Sequence, residues 1–348
     1  MSKHSGESTV DTTTANTARA PEDVEIVGRA FHQRRTCRIV VDSSSDFAPE
    51  VLARIGADFI PLTYVTPEGE FEDDLWKRQT PHDFYETLRK NPDLHYTTAA
   101  VTPGRYLEYF EELAKEGVPT IYVALTAGLS SSIYNARQAA DMLRESYPDF
   151  ELYVLDMRCD SAAGELLTIE IMRQATRGLS AHELYEWARE ARYFIHGYFT
   201  LDGFAALAAG GRIPPAAATV GGKLDIKPEL TYDVNGALSL CGMCRGRKKA
   251  LRAIIQDFRE NYAHDPLLPL AIVSSDAEKD ADWLEREVRK QDGCSEVTII
   301  RSQVSPILGS HVGPGMVALV FWGTDRREKL SLTDRLAHKV RSQKRMNA

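Results

Sequence analysis

Short apolar runs alternate with segments whose apolar positions recur every three or four residues through the first half of the chain. Residues 37–42, 59–65, 120–125 and 152–156 read as buried strands, with a shorter strand near Tyr96. Between them the spacing predicts helices. One is opened by Thr80-Pro81, one by Thr102-Pro103 with Tyr106, Phe110 and Leu113 on its apolar face, and one starts at Ser130 with Ile133, Ala136, Ala140 and Leu143 in helical register. A threonine followed by proline marks a helix start because the hydroxyl caps a free amide and proline tolerates the first helical position. Such alternation implies a parallel sheet covered by helices on both faces.

The pattern changes after residue 160. A helical stretch over 162–193 leads to a strand at 195–201, and segments 229–234 and 237–240 flank Asn235-Gly236, a strong hairpin signal. Strands at 268–274, 297–300 and 316–322, separated by helices at 248–262 and 277–291, complete a mixed α/β (α+β) unit. The expected organisation is α/β with two domains, 37–160 and 161–324, and a ligand between them. Residues 1–36, rich in Ser and Thr without an apolar core, read as a disordered leader rather than a signal peptide. Segment 325–348 holds eight Lys or Arg against three acids and reads as a solvated terminal helix.

Composition narrows the function classes. At 348 residues, with 43% hydrophobic content, the chain has material for two ordinary cores. Its net charge of −8 argues against broad nucleic-acid binding. No apolar run is long enough for stable membrane insertion. Five cysteines, Cys37, Cys159, Cys241, Cys244 and Cys294, fit reduced thiols in a cytoplasmic protein better than a disulfide framework. Cys241 and Cys244 form a lone C-x-x-C on an expected strand, with no second pair, so no metal site is assigned. Neither a G-x-x-x-x-G-K-[ST] nor a G-x-G-x-x-G loop occurs, and no cofactor is expected.

Candidate chemistry gathers in hydroxyl-rich turns. Thr126-Ala-Gly-Leu-Ser130-Ser131-Ser132 follows a strand just where a helix begins, a place where free amides and the helix dipole can hold an anion. Asp42-Ser43-Ser44-Ser45-Asp46 closes the first strand, and Thr97-Thr98-Ala-Ala-Val-Thr-Pro precedes another helix. The Ser130 and Thr98 turns are expected at the carboxyl ends of neighbouring parallel strands, the ligand edge of such a sheet. An ordinary serine N-cap is the simpler reading of Ser130 alone.

In order along the chain, these turns are followed by Gly210-Gly211-Arg212-Ile213, Leu224-Asp-Ile-Lys-Pro228, Arg245-Gly-Arg-Lys-Lys-Ala250 and Gly309-Ser-His311-Val-Gly-Pro-Gly315. The set resembles the DegV family of bacterial fatty-acid-binding proteins across roughly residues 37 to 323. The resemblance implies a non-enzymatic carrier in which Thr98 and Ser130 hold a long-chain fatty acid's carboxylate. Ser131, Asp42, Ser43, Arg212 and His311 are further candidates. His311 would reach the carboxylate from the second domain, and Arg212 would face the head group or form an interdomain ion pair. It further implies a partner, a separate dihydroxyacetone-kinase-like fatty acid kinase that makes an acyl phosphate for phospholipid synthesis. Two departures stand out: Ala100-Val101 replaces a usual Gln-Pro, and Ser130-Ser-Ser-Ile133 replaces Ser-Gly-Thr-Tyr. The alternative reading is an acyl hydrolase using Ser130 and His311, with Gly128-Leu-Ser130-Ser-Ser132 one glycine short of a nucleophile elbow. The stretch 66–74, with Pro67, Gly69 and a run of acids, is the expected lid over the head group.

Overall fold

A computed structural model describes residues 36–213 and 225–329. The expected leader, Leu224 of the fourth motif and residues 330–348 of the basic segment lie outside those described, apart from Thr36.

Strands β1 (Arg38–Asp42), β2 (Asp58–Ile60), β6 (Thr120–Ala124) and β7 (Leu152–Asp156) form a parallel sheet in the order β2-β1-β6-β7. The chain leaves β1 toward β2 on one side and reaches β6 on the other, so the direction of winding reverses at β1. The carboxyl ends of β1, β6 and β7 therefore open on one crevice. Thr80 and Thr102 cap helices Pro81–Lys90 and Pro103–Glu116, accepting from the amides of Asp83 at 3.1 Å and Arg105 at 3.3 Å. Gly117 ends the second of these in the left-handed region, at φ 70°.

Expected strand 59–65 is two strands. Pro61 lacks the amide a ladder needs, and beyond it β3 (Thr63–Thr66) turns away to pair with β4 (Gly69–Glu72) and β5 (Thr97–Ala99) in a separate antiparallel sheet. Thr98 accordingly sits within β5, opposite Tyr64, and not on a turn ending a parallel strand. Most of the expected lid over 66–74 is built into the same small sheet, and Asp73 beyond it is buried.

The second half forms a six-stranded mixed sheet, β10-β9-β8-β13-β11-β12. It comprises β8 (Ile195–Thr200), β9 (Ile226–Tyr232), β10 (Leu238–Arg245), β11 (Leu270–Ser274), β12 (Ile299–Gln303) and β13 (Val317–Trp322). The expected helical stretch 162–193 is two main helices, Ala162–Thr176 and Ala181–Ala191. The first is apolar almost all round. It packs on β1 and also on β8, β11 and β13, filling the space between the sheets. Leu166, Leu167 and Ile171 are fully buried there, each contributing about 1.5–3 kcal/mol. One apolar core runs from Val41 and Val123 through this helix to Phe199 and Val320, and a second lies beyond the six-stranded sheet around Phe258 and Phe321.

The start of the basic segment is not solvated. Arg326 is buried and donates to the carbonyls of Tyr232, Asp233, Arg158 and Arg192 at 3.0–3.2 Å. Arg327 pairs with Asp325 and Glu190. Carbonyls left over where the β9–β10 turn meets the end of β7 need donors, and Arg326 supplies them.

Candidate functional site

A cleft of about 950 Å³, part of it open to solvent, lies over the carboxyl ends of the parallel sheet and is closed from the other side by the six-stranded sheet and its helices. Leu125, Leu129, Ser130, Ser131 and Ser132 come from the loop and helix after β6, and Asp160 and Ser161 from the loop after β7. Phe199 of β8, Leu238 of β10 and Leu308 of helix Pro306–Val312 supply apolar wall from the second half.

Polar groups from several elements also line the cleft. Helix Ser132–Ser146 starts two residues later than the sequence suggests, with Ser131 at the cap position and no side-chain cap bond from it. Ser130 does the capping: its Oγ accepts from the Ser132 amide at 3.2 Å and donates to the Ser132 hydroxyl at 3.2 Å. His311 is not in a glycine-rich turn but in the last turn of helix Pro306–Val312, and it is buried. Its Nε2 lies 2.9 Å from the Thr98 hydroxyl, joining the small sheet to the second half. Its Nδ1 is buried with no partner, and Gly210 lies so close that a Cβ there would collide with it. Burial, and then the Arg212 charge, push His311 down to about 4, so the ring is neutral at physiological pH. Arg212 also lines the cleft, donates to the Gly210 carbonyl at 2.5 Å and pairs with no carboxylate among the described residues.

Asp42 and Ser43 do not line the cleft. Their polar atoms hold backbone: Asp42 accepts from the amides of Ser44 at 3.1 Å and Leu125 at 2.6 Å, and Ser43 Oγ accepts from the Leu62 amide at 3.1 Å. The first hydroxyl turn thus fixes the walls from behind. Asp46 at its end accepts from the Ser161 hydroxyl at 2.5 Å and the Ser305 amide at 2.7 Å, tying the ends of β1 and β7 to the helix that carries His311.

The sequence reading missed Asp160 and Ser161. Ser161 has φ 56°, a conformation no residue type announces, and burial pushes Asp160 up to about 6 while Tyr232 donates to it. A signal existed: β7 also ends in a hydroxyl-bearing turn before a helix, as β1 and β6 do.

The sequence that builds this cleft matches a known family. The family model described as "Uncharacterised protein, DegV family" covers residues 36–323. The chain belongs to the DegV family. A DegV domain-containing protein of Clostridium perfringens is 29% identical over 285 residues, which is 82% of this chain and 97% of that protein. A DegV-family protein of Thermus thermophilus, described as fatty acid binding, superposes with TM-score 0.72 at 22% identity, covering 84% of this chain and 100% of that one. The Streptococcus pneumoniae Fatty Acid Kinase (Fak) B3 protein, loaded with linoleic acid, superposes with TM-score 0.71 at 23% identity, covering 82% and 99%. These likenesses establish the DegV fold. Among the described residues no helix is long and apolar enough to cross a membrane.

Proposed function

We propose that this DegV-family chain encloses one long-chain fatty acid between units 37–160 and 161–324 and acts as a cytoplasmic carrier rather than an enzyme. Its carboxylate sits at Thr98, Ser130 and Ser131, with His311 and Arg212 beside it, and its alkyl chain lies along the apolar wall. One observation carries this reading: an otherwise largely apolar cleft is lined by the hydroxyls of Thr98, Ser130, Ser131 and Ser132, by the neutral His311 and by Arg212, the only fixed positive charge among the lining residues, which pairs with no described acid. The neutral His311 contributes a hydrogen bond rather than a second charge. Burying about fifteen methylenes at about 0.8 kcal/mol each gives on the order of 12 kcal/mol, against about 0.5–3 kcal/mol per head-group hydrogen bond. The chamber sets affinity and the polar groups set orientation. The description of the pneumococcal neighbour as a fatty acid kinase protein supports the further reading that the acid is presented to a separate kinase, which makes an acyl phosphate for phospholipid synthesis.

The observed bonds weigh against an acyl hydrolase. A serine nucleophile needs a base on its hydroxyl and a group that orients the base. Ser130 donates to Ser132, His311 Nε2 is engaged by Thr98, and His311 Nδ1 meets no carboxylate.

Native mass spectrometry of the chain expressed in bacteria is expected to show a fatty acid near one per chain. A bare mass, together with failure to bind added palmitate or oleate, contradicts the proposal. With ATP, magnesium and labelled fatty acid, hydroxylamine should trap an acyl hydroxamate only after a cognate kinase is added. Hydroxamate formed by the chain alone rules out the carrier assignment.

Ser130→Ala and Thr98→Ala are each expected to weaken fatty acid binding by about 0.5–3 kcal/mol while leaving the fold intact. Thr98→Ala also strips His311 Nε2 of its partner, so its effect should be the larger one. Calorimetric titration of a fatty acid into both single variants and the double variant reads these losses; unchanged affinity in the double variant removes the two hydroxyls from the site.

A further inference from the structure

The C-x-x-C pair lies on β10, far along the chain from the turns that build the cleft. In a regular strand, residues three apart point to opposite faces. Here the register with β9 shifts between Leu240 and Gly242, so Cys241 is the extra residue of a β-bulge, while Gly242 and Cys244 stand opposite Glu229 and Lys227. Bulges re-aim side chains, and this one turns Cys241 toward Glu229. Helix Arg247–Asn261 packs on β9 and β10 and carries Asp257 to the same place. One ligand atom from each of Glu229, Cys241 and Asp257 falls within 4.8 Å of the other two.

Glu229 is the observation that needs explaining. It is only 6% exposed, and its Oε1 has no hydrogen-bond partner. The Asp257 carboxyl lies against it, with their nearest oxygens within 4.8 Å. Two carboxyl groups held this close do not both ionise unless a proton or a cation lies between them. Cys241 is exposed, which gives an entry path from solvent, and its thiol donates to the Glu229 carbonyl at 3.2 Å.

We propose that Glu229, Cys241 and Asp257 form a site for a divalent cation of the zinc class, with water completing the coordination. The donor set selects the ion. A thiolate disfavours magnesium and calcium, which prefer all-oxygen shells, and two carboxylates with one sulfur suit a four-coordinate ion with one open position. On binding, the Cys241 thiol proton and the proton shared by the carboxyl pair pass to solvent, and the ion ties β9, β10 and helix Arg247–Asn261 together.

Cadmium, a spectroscopic stand-in for zinc, tests the site in the full chain. Titration is expected to raise cadmium–thiolate charge-transfer absorption that saturates at one equivalent, and zinc is expected to compete for it and to raise the melting temperature. Cys241→Ser should abolish the absorption and Cys244→Ser should leave it. Glu229→Gln should weaken cadmium and zinc binding by about tenfold or more. If Glu229→Gln fails to fold by circular dichroism, the half-buried Asp257→Asn is read in its place, with the same expected loss. No absorption in the unaltered chain, absorption that survives Cys241→Ser, or unchanged affinity in the carboxylate variant overturns the assignment.

Discussion

Gly236→Ala is expected to melt the chain at a markedly lower temperature and to loosen the cleft with it. Gly236 closes the β9–β10 turn with φ +80°, where a side chain is strained. Its amide donates to the Asp233 carbonyl at 3.0 Å, while the Asp233 carboxylate accepts from the amides of Asn235 and Ala237 at 2.7 and 3.0 Å. The tip of this hairpin is wedged against the other half of the molecule. A Cβ at Gly236 would fall on the Thr126 hydroxyl and 2.9 Å from the Arg158 backbone, and a Cβ at Gly128 would fall 2.5 Å from the Gly236 backbone. Thr126 is also the residue whose carbonyl and hydroxyl accept from Gly128, Leu129 and Ser130, so pushing it moves the Ser130 turn. Strain and collision together give a loss of roughly 3–5 kcal/mol. Gly178→Ala separates the two causes, because Gly178 has φ +96° with nothing within 4 Å of a Cβ; it should cost only about 1 kcal/mol. Urea unfolding of both variants, with fatty acid titration of any folded Gly236→Ala protein, makes the comparison. Equal losses in the two variants show that the hairpin tip does not brace the turn.

That brace shows where sequence reading reaches its limit. Asn235-Gly236 announces a hairpin because the turn needs a residue free to take positive φ, and that requirement is local. What the hairpin tip touches is not local. The same division holds elsewhere. The parallel strands β1, β6 and β7 were legible because burial on both faces leaves an unbroken apolar run, and the Thr-Pro helix starts were legible because capping is a matter of two residues. Strand β5 gives no such signal: Thr97-Thr98-Ala99 is polar, short and partly exposed, and only its ladder with β3 shows that it belongs to a different sheet.

In the cleft, hydroxyl-rich turns together with the family resemblance pointed to Thr98, Ser130, Ser131, Arg212 and His311, all of which line it. Asp42 and Ser43 share the composition of those turns but serve the backbone of Leu125 and Leu62, a demand that appears only once the strands are assembled. Arg326 is the converse case. A run of basic residues reads as solvated because charge is costly to bury, yet four carbonyls from three separate stretches of chain converge on its guanidinium. Likewise Cys241 and Cys244 are an unremarkable spacing until the bulge in β10 brings Cys241 to Glu229.

Stability is expected to fall as pH rises from about 4 to about 8, and Asp46→Asn is expected to remove much of that fall. Asp46 is 3% exposed, and burial pushes it up to about 8 against the opposing bonds from Ser161 and Ser305. An acid raised in the folded state keeps a proton that the unfolded chain has released. Its contribution is therefore fully present below the unfolded value near 4 and is lost as pH climbs through about 8. Asp73, at about 7, Asp160, at about 6, and the fully buried Glu165, raised beside Asp46, act in the same direction. His311 opposes them over the acid part of this window: depressed to about 4, it contributes stability that is full above its unfolded value near 6.5 and disappears as pH falls through about 4, so the four acids must outweigh it. Asparagine copies the protonated aspartate. Its oxygen can accept from the Ser305 amide, its amide can donate to the Ser161 hydroxyl, and it tolerates the left-handed backbone at φ 50°. Urea unfolding at a series of pH values should find Asp46→Asn and the unaltered chain nearly equal at pH ~3.5, with the gap opening as pH rises and the variant more stable by on the order of 5 kcal/mol at pH ~8.5. Some slope should remain in the variant, since Asp73, Asp160 and Glu165 still titrate. Parallel curves for the two proteins show that Asp46 is ionised in the folded chain and that the link between Ser161 and Ser305 is made by a carboxylate.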